Sequence, residues 1–310
     1  MSDIQKAAKI IQDGGLVAFP TETVYGLGAD ALNPYAVAAI FEAKNRPTFD
    51  PLIVHVADPF QAEMLLAHPF PEKALKLIEQ FWPGPMTLVL PKSKLVPDIV
   101  TSSLPNVAIR VPNHPLALDL IHESGRPIAA PSANSFGAVS PTTAEHVRQS
   151  LGDKVKMILD GGPCEVGVES TIISFVEKEP VVLRLGGLPL EAIELIIGKV
   201  AVSTGSKDKP MAPGQLLQHY APRTPLRLIQ GSVAPNAKMG WLGLNNPPKG
   251  FGAVEILSAE GSLIEAAAHL FAAMRRLDEK DLEMIMAQPV PDEGLGRAIN
   301  DRLYRASVKS

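Results

Sequence analysis

Short apolar runs alternate with stretches of helical periodicity along residues 1–200, and this alternation restricts that part of the chain to an α/β architecture. Apolar residues recur at helical spacing over 4–11, and Gly14-Gly15 ends the segment. Residues 16–19 then read as strand, 36–44 as helix, 52–56 as strand and 72–81 as helix. The runs 86–90 and 107–111 are apolar and bounded by prolines, again strand-like. A helix over 114–123, a strand over 128–130 and a helix over 143–151 follow. Three strands over 155–159, 171–176 and 181–185 come next, the last two joined by Glu177-Lys178-Glu179-Pro180 as a hairpin. A hairpin beside helical crossovers predicts a mixed sheet.

Residues 201–224 break the pattern. Ser203-Thr204-Gly205-Ser206-Lys207-Asp208-Lys209-Pro210 is polar and turn-rich, and Ala212-Pro213-Gly214 follows it, as in an interdomain linker. Beyond it, 226–229, 239–244 and 254–257 read as strands. Leu263, Ala267, Leu270, Met274 and Leu277 form one stripe of an amphipathic helix. The expected division is therefore a domain over 1–200, a linker over 201–224 and a smaller α/β domain over 225–310. A chain of 310 residues accommodates both domains.

Several functional classes drop out. A single cysteine, Cys164, excludes an intramolecular disulfide and a cysteine-based zinc site. The formal net charge of -4 marks no general polyanion binder, so nucleic-acid contact would need a local basic patch. The best candidate membrane run, 263–274, carries Glu265 and His269. The first residues also lack a signal-peptide core, so the expectation is a soluble cytoplasmic protein. Neither a G-x-x-x-x-G-K-[ST] loop, a G-x-G-x-x-G turn nor a G-x-S-x-G elbow occurs, and the histidines form no zinc-hydrolase pair.

What stands out is Pro20-Thr21-Glu22-Thr23-Val24-Tyr25-Gly26-Leu27-Gly28, directly after the strand 16–19. Strand ends that open into small polar turns are where α/β proteins place ligands. Its glycines read as the residues that let the chain turn tightly. Cations also sit in unusual places. Lys44-Asn45-Arg46-Pro47 closes the helix 36–44, where basic residues equally suit the helix dipole. Arg110 lies inside the apolar strand 107–111, and Arg184 inside 181–185. A guanidinium on a buried strand is costly unless paired, and a solvated edge strand is the competing reading for each. Together these cations favour an anion-binding cleft, because nearby acids look too few to neutralise them. Hydroxyl-rich turns follow at Ala130-Pro131-Ser132-Ala133-Asn134, Ser140-Pro141-Thr142 and Gly167-Val168-Glu169-Ser170-Thr171, with Thr142 read as an N-cap. His55 is a lone strand histidine, a type more often found satisfied in a core than binding a ligand.

These features fall in one order. The run 20–28 is followed by K-x-R-P at 44–47, then Pro51-Leu52-Ile53-Val54-His55 and Trp82-Pro83-Gly84-Pro85-Met86-Thr87. Ala108-Ile109-Arg110-Val111-Pro112, Pro131-Ser132-Ala133-Asn134, the run 167–171 and Leu183-Arg184-Leu185-Gly186 complete the series. In that order and spacing the chain resembles the YrdC-type threonylcarbamoyl-AMP synthases. Pro213-Gly214, His219-Tyr220-Ala221-Pro222 and the tail from Gly294 through Asp301-Arg302-Leu303 resemble the longer two-domain form. Gln215 departs from the methionine common after Pro-Gly in that family.

The resemblance implies a YrdC-like twisted mixed sheet with helices around an open cleft, plus a Rossmann-like C-terminal α/β domain. It implies a nucleotidyltransferase that condenses L-threonine, bicarbonate and ATP into threonylcarbamoyl-AMP and pyrophosphate. The product would serve threonylcarbamoyladenosine formation next to the anticodon of tRNA. By resemblance Lys44, Arg46, Ser132 and Asn134 form a basic and polar tetrad around the ATP phosphates. Ala130, Ser140, Arg184 and Tyr220 would also contact the nucleotide, Tyr220 reaching over it from the linker. Thr23, Tyr25, His55, Arg110 and Ser170 match positions for threonine and its carbamoyl group. Magnesium would arrive on the ATP phosphates. A downstream tRNA threonylcarbamoyl-transferase machinery and weak tRNA binding complete the expected partners, with no membrane. Two other classes compete: an RNA-binding module of the same fold without adenylate synthesis, and a carbamoyl-transfer enzyme using carbamoyl phosphate. A chain with 5% aromatic residues offers little for base stacking, which disfavours the first. The absence of cysteine-rich zinc-finger and acylphosphatase-like segments disfavours the second.

Overall fold

The computed structural model describes residues 1–203, 212–214, 219–231 and 233–308. Gln215 and most of the polar stretch 203–210 lie outside the described residues. The larger sheet contains β1 (Val17–Phe19), β2 (Gly26–Asp30), β3 (Ile53–His55), β4 (Met86–Pro91) and β5 (Asn106–Arg110). It continues with β6 (Ile128–Ala129), β7 (Met157–Ile158), β8 (Thr171–Ser174), β9 (Val181–Arg184) and β10 (Ala201–Val202). Their spatial order is β10-β9-β8-β4-β5-β3-β6-β2-β1-β7. The sheet is mixed: β3/β5 and β4/β8 are parallel, whereas β4/β5, β1/β2 and β8/β9 are antiparallel. The smaller sheet, β11 (Leu226–Leu228), β12 (Met239–Gly243), β13 (Ala253–Ile256) and β14 (Met284–Ala287), is parallel in the order β11-β14-β12-β13.

Helices α1 (Asp3–Gln12), α2 (Pro34–Lys44), α3 (Pro59–Glu63), α4 (Glu72–Phe81), α5 (Pro115–Ser124), α6 (Ala144–Leu151) and α7 (Leu190–Ile197) accompany the larger sheet in sequence. Helices α8 (Leu263–Asp278) and α9 (Gly296–Ser307) accompany the smaller one. Caps set several of the starts: Ser2 and Gln5 form a capping box on α1, and Asn33 caps α2 ahead of Pro34. Asn45, between Lys44 and Arg46, ends α2 in the left-handed conformation. The cap of α6 is Thr143 rather than Thr142, since the Thr143 hydroxyl accepts the His146 amide.

One expectation about the opening run is overturned. Residues 26–30 are not a tight turn but β2, paired antiparallel to β1 through Val17–Gly28 and Phe19–Gly26. The glycines serve close packing. A Cβ on Gly28 would lie 2.7 Å from Ile128 Cγ2 and 2.8 Å from Phe19 Cε1. Gly28→Ala should therefore destabilise the chain by about 1–3 kcal/mol through overpacking, seen as a lower urea midpoint at constant m.

The edge-strand reading of the two arginines is likewise corrected. β5 lies between β4 and β3, and β9 between β10 and β8; Arg110 and Arg184 are both buried. The two sheets also share packing. Val24, Val139 and Val168 join one buried cluster with Leu270, Phe271 and Met274 of α8 and Ile299 and Leu303 of α9. No described helix is long and apolar enough to cross a membrane.

Candidate active site

The loop after β1 is built into a wall by backbone pairing with the hydroxyl-rich turns. Leu27 N donates to Pro131 O and Ala133 N to Tyr25 O, each at 2.8 Å, and Tyr25 N donates to Pro141 O at 2.9 Å. Ala130 N donates to Ile53 O at 2.9 Å, which ties the same wall to β3. Thr23, His55, Arg46, Arg110, Ala130, Ser132, Ser170, Arg184 and Tyr220 thereby line one cleft, together with Thr21, Glu169, Pro213, Gly214 and His219. Lys44, Asn134, Ser140 and Tyr25 stand behind its surface.

Each cation has a defined set of partners. Arg110 Nη1 donates to Thr23 Oγ1 at 2.9 Å and Nε to Gly84 O at 3.1 Å, while Nη2 pairs with Glu22 Oε1 at 2.6 Å. Arg46 Nη2 pairs with Asp50 Oδ2 at 2.8 Å and donates to Pro51 O. The expectation of too few acids is thus corrected: Glu22, from the loop after β1, reaches Arg110 on β5, and Asp50 pairs with Arg46 four residues before it. Lys44 and Arg184 differ. Lys44 Nζ donates only to the carbonyl oxygens of Ser132 and Asn134. Arg184 donates to Ser170 O, Ser170 Oγ and Pro213 O. Neither has a carboxylate within ion-pair distance among the described residues. Burial, reinforced by the Arg46 charge, pushes the Lys44 ammonium well below its ordinary pKa. These two buried cations supply positive charge that the protein itself leaves only partly offset.

Around Arg110 the cleft is lined by His55, Thr23 and Ser170, none of them a further cation. His55 is buried with Nδ1 unpartnered, and burial with the Arg110 charge lowers its pKa to about 3, so it stands uncharged. Ser170 Oγ shares a hydrogen bond of 2.7 Å with Thr87 Oγ1. The Tyr25 hydroxyl is not brought to the cleft: it donates to Gly162 O at 2.8 Å and accepts from Gly161 N. Burial raises its pKa to about 12. Ser140 Oγ points to Glu169 Oε1 at 2.6 Å, and the Asn134 amide nitrogen donates to Ser135 O and Ala138 O.

One side of the cleft is formed by linker residues, its roof. Pro213, Gly214, His219 and Tyr220 line that side, and the free volume is about 50 Å³, far short of the several hundred Å³ that a nucleotide-sized ligand needs. Tyr220 is 1% exposed and stacks on Phe271 of α8 at 5.5 Å. Gly214 has φ +78°, and a Cβ there would lie 2.7 Å from the Tyr220 hydroxyl. Glycine is required for this roof. In the sequence Glu169 stands only as part of a turn, and its burial is not legible there. Desolvation favours its neutral form, but Arg302, Arg184 and the Ser140 hydroxyl outweigh that and hold it ionised, with a pKa of about 2.

A mixed α/β sheet carrying buried, partly offset cations beside a hydroxyl-lined pocket defines a nucleotide- and amino-acid-type cleft. The chain belongs to the Sua5/YciO/YrdC family: the profile described as "Telomere recombination" matches residues 9–186. A second profile, "Threonylcarbamoyl-AMP synthase, C-terminal domain", matches residues 188–308. The chain is 45% identical to the threonylcarbamoyl-AMP synthase of Pyrococcus abyssi over 98% of this chain and 94% of that protein. It is 46% identical to the enzyme of the same name from Bacillus subtilis, over 98% and 92%. The crystal structure of P. abyssi Sua5 complexed with L-threonine superimposes with a TM-score of 0.92 at 44% identity, covering 98% of this chain and 94% of that one.

Proposed function

We propose that this chain is a threonylcarbamoyl-AMP synthase, a nucleotidyltransferase joining L-threonine, bicarbonate or CO2, and ATP. The observation that carries the reading is one cleft that sets an arginine, a neutral histidine and hydroxyls beside two buried cations with no ion-paired carboxylate among the described residues. The relatives bear this enzyme's name along nearly the whole chain.

The threonine amine adds to CO2 and loses a proton, giving a carbamate. A carbamate oxygen then attacks the α-phosphorus of ATP; the bond to the β-phosphate bridging oxygen breaks, and pyrophosphate leaves. Two unit charges at about 4 Å and an effective dielectric near 20 repel by roughly 4 kcal/mol, enough to slow the step about a thousandfold. Lys44 and Arg184 would offset that charge at the phosphates, with Arg46, Ala130, Ser132, Asn134 and Ser140 shaping the nucleotide side. Arg110 would hold the threonine carboxylate, with Thr23, His55 and Ser170 around it. Tyr25 would act by packing the wall, since its hydroxyl faces Gly161 and Gly162. The rate arises from positioning and charge neutralisation, with no covalent enzyme intermediate.

Magnesium belongs to the nucleotide in this reading. Glu22, Asp50 and Glu169 are each committed to an arginine, and no described group of three or more His, Cys, Asp or Glu side chains converges as a metal site. Among the described residues no all-protein magnesium cage is present, in keeping with an ion held mainly by phosphate oxygens and water.

The segment 201–224 would act as a lid between a catalytic domain over 1–200 and a second domain over 225–310. Arg184 Nη1 donates to Pro213 O at 3.0 Å, so lifting the roof frees that donor for a phosphate oxygen. The product would pass to a tRNA threonylcarbamoyl-transferase in the cytoplasm. The RNA-binding alternative is not favoured: the cations it needs are at most 7% exposed and offer no surface patch. Pyrophosphate release from ATP should require both L-threonine and bicarbonate. Release that ignores threonine, or salt-sensitive RNA binding without turnover, would sink the reading.

A further inference from the structure

Helix α9 of the second domain inserts a guanidinium behind the cleft. Arg302 is 0% exposed. Its Nε donates to Glu169 Oε2 at 2.8 Å, its Nη2 to Leu185 O at 3.0 Å, and its Nη1 pairs with Asp301 Oδ2 at 2.6 Å. The guanidinium carbon of Arg302 lies over the Tyr220 ring, 5.0 Å from its centre. Glu169 and Tyr220 line the cleft, and Arg302 does not.

Holding two domains together does not call for such a group. The apolar cluster of Val24, Val139 and Val168 with α8 and α9 already supplies non-directional attraction. Apolar residues in place of a buried ion pair are often neutral or stabilising. What a planar fork adds is direction. Here its donors fix a cleft carboxylate and the backbone after β9, while its charge lies over the ring of the roof tyrosine. Glu169 in turn anchors Ser140 through its other oxygen.

We propose that Arg302 is a positioning residue for the cleft, through which the second domain orients Glu169 and holds Tyr220 in the closed roof. The proposal rests on adenylate synthesis being the reaction of this cleft. Arg302 touches neither substrate; it acts through the two residues it holds.

The test compares full-length wild type with Arg302→Lys, Arg302→Met, Glu169→Gln and the Arg302→Met/Glu169→Gln double variant. The rate of threonylcarbamoyl-AMP formation is measured at varied L-threonine and ATP. Both Arg302 variants should lose about tenfold or more in kcat, with KM for L-threonine changing less than about twofold. Lysine keeps the charge but not the fork, so it should not restore the rate. The double variant should be no worse than the poorer single one, because both act on one unit. Amide exchange across 219–222, where Ala221 N donates to Gly137 O, should rise while exchange in α8 stays slow.

Wild-type turnover and unchanged exchange in Arg302→Met would overturn the proposal, as would multiplicative losses in the double variant. If Arg302→Met loses its cooperative unfolding transition, Arg302→Lys and Glu169→Gln decide alone. A wild type that forms no adenylate defeats the assigned reaction, while exchange at 219–222 still decides whether Arg302 holds the roof.

Discussion

Lys44→Met should lower turnover by about a hundred- to a thousandfold while leaving the fold intact. Lys44 is 1% exposed and among the described residues donates only to carbonyl oxygens, so its charge is held at a cost that the more distant Asp50 carboxylate only partly offsets. A methionine of similar length fills the space and removes that cost, but leaves two carbonyl oxygens without their donor. These effects oppose each other, so the unfolding free energy should change by no more than about 2 kcal/mol. Chemical denaturation beside the pyrophosphate assay separates the two quantities. Equal loss of stability and activity would make Lys44 a structural cation; unchanged turnover would remove it from the phosphate site.

Arg110→Met should behave in the opposite way, losing stability as well as activity. It strands Glu22, whose side chain is 5% exposed, as a buried carboxylate without its cation. Breaking a buried pair from one side costs about 3–5 kcal/mol. Adding Glu22→Gln removes the stranded charge, and the amide can still accept from Asn113 N as Glu22 Oε2 does at 3.1 Å. The double variant should therefore regain most of the stability but not the response to L-threonine, because the guanidinium proposed for the amino-acid carboxylate is gone. A double variant with full turnover would place threonine recognition elsewhere.

The chain's own pattern carried much of this architecture. Strands flanked by Pro and Gly, and helices with Ser, Asn or Thr caps, are local signals, and α2, α6, β3 to β5 and the β8–β9 hairpin follow them. β2 escaped because glycines in a strand look like a turn until the partners that crowd them are known. α9 escaped because Arg302 and Arg305 interrupt its apolar stripe, although both are buried. In the cleft, Thr23, His55, Arg110, Ser170 and Arg184 come from separate segments that the sheet draws together. Residue type and motif order suffice to single out such residues. The pairing of Glu22 with Arg110, of Asp50 with Arg46 and of Glu169 with Arg302 needs tertiary structure, as does the roof under which they lie.

The central claim is that this one cleft joins threonine, a one-carbon unit and the adenylate. Its most direct measurement supplies the purified protein with ATP, L-threonine and ¹³C-labelled bicarbonate and follows the nucleotide product by mass spectrometry. The expected result is threonylcarbamoyl-AMP carrying the label, formed together with pyrophosphate and lost when threonine is omitted. Pyrophosphate without a labelled threonylcarbamoyl nucleotide, or a product formed without threonine, would contradict it.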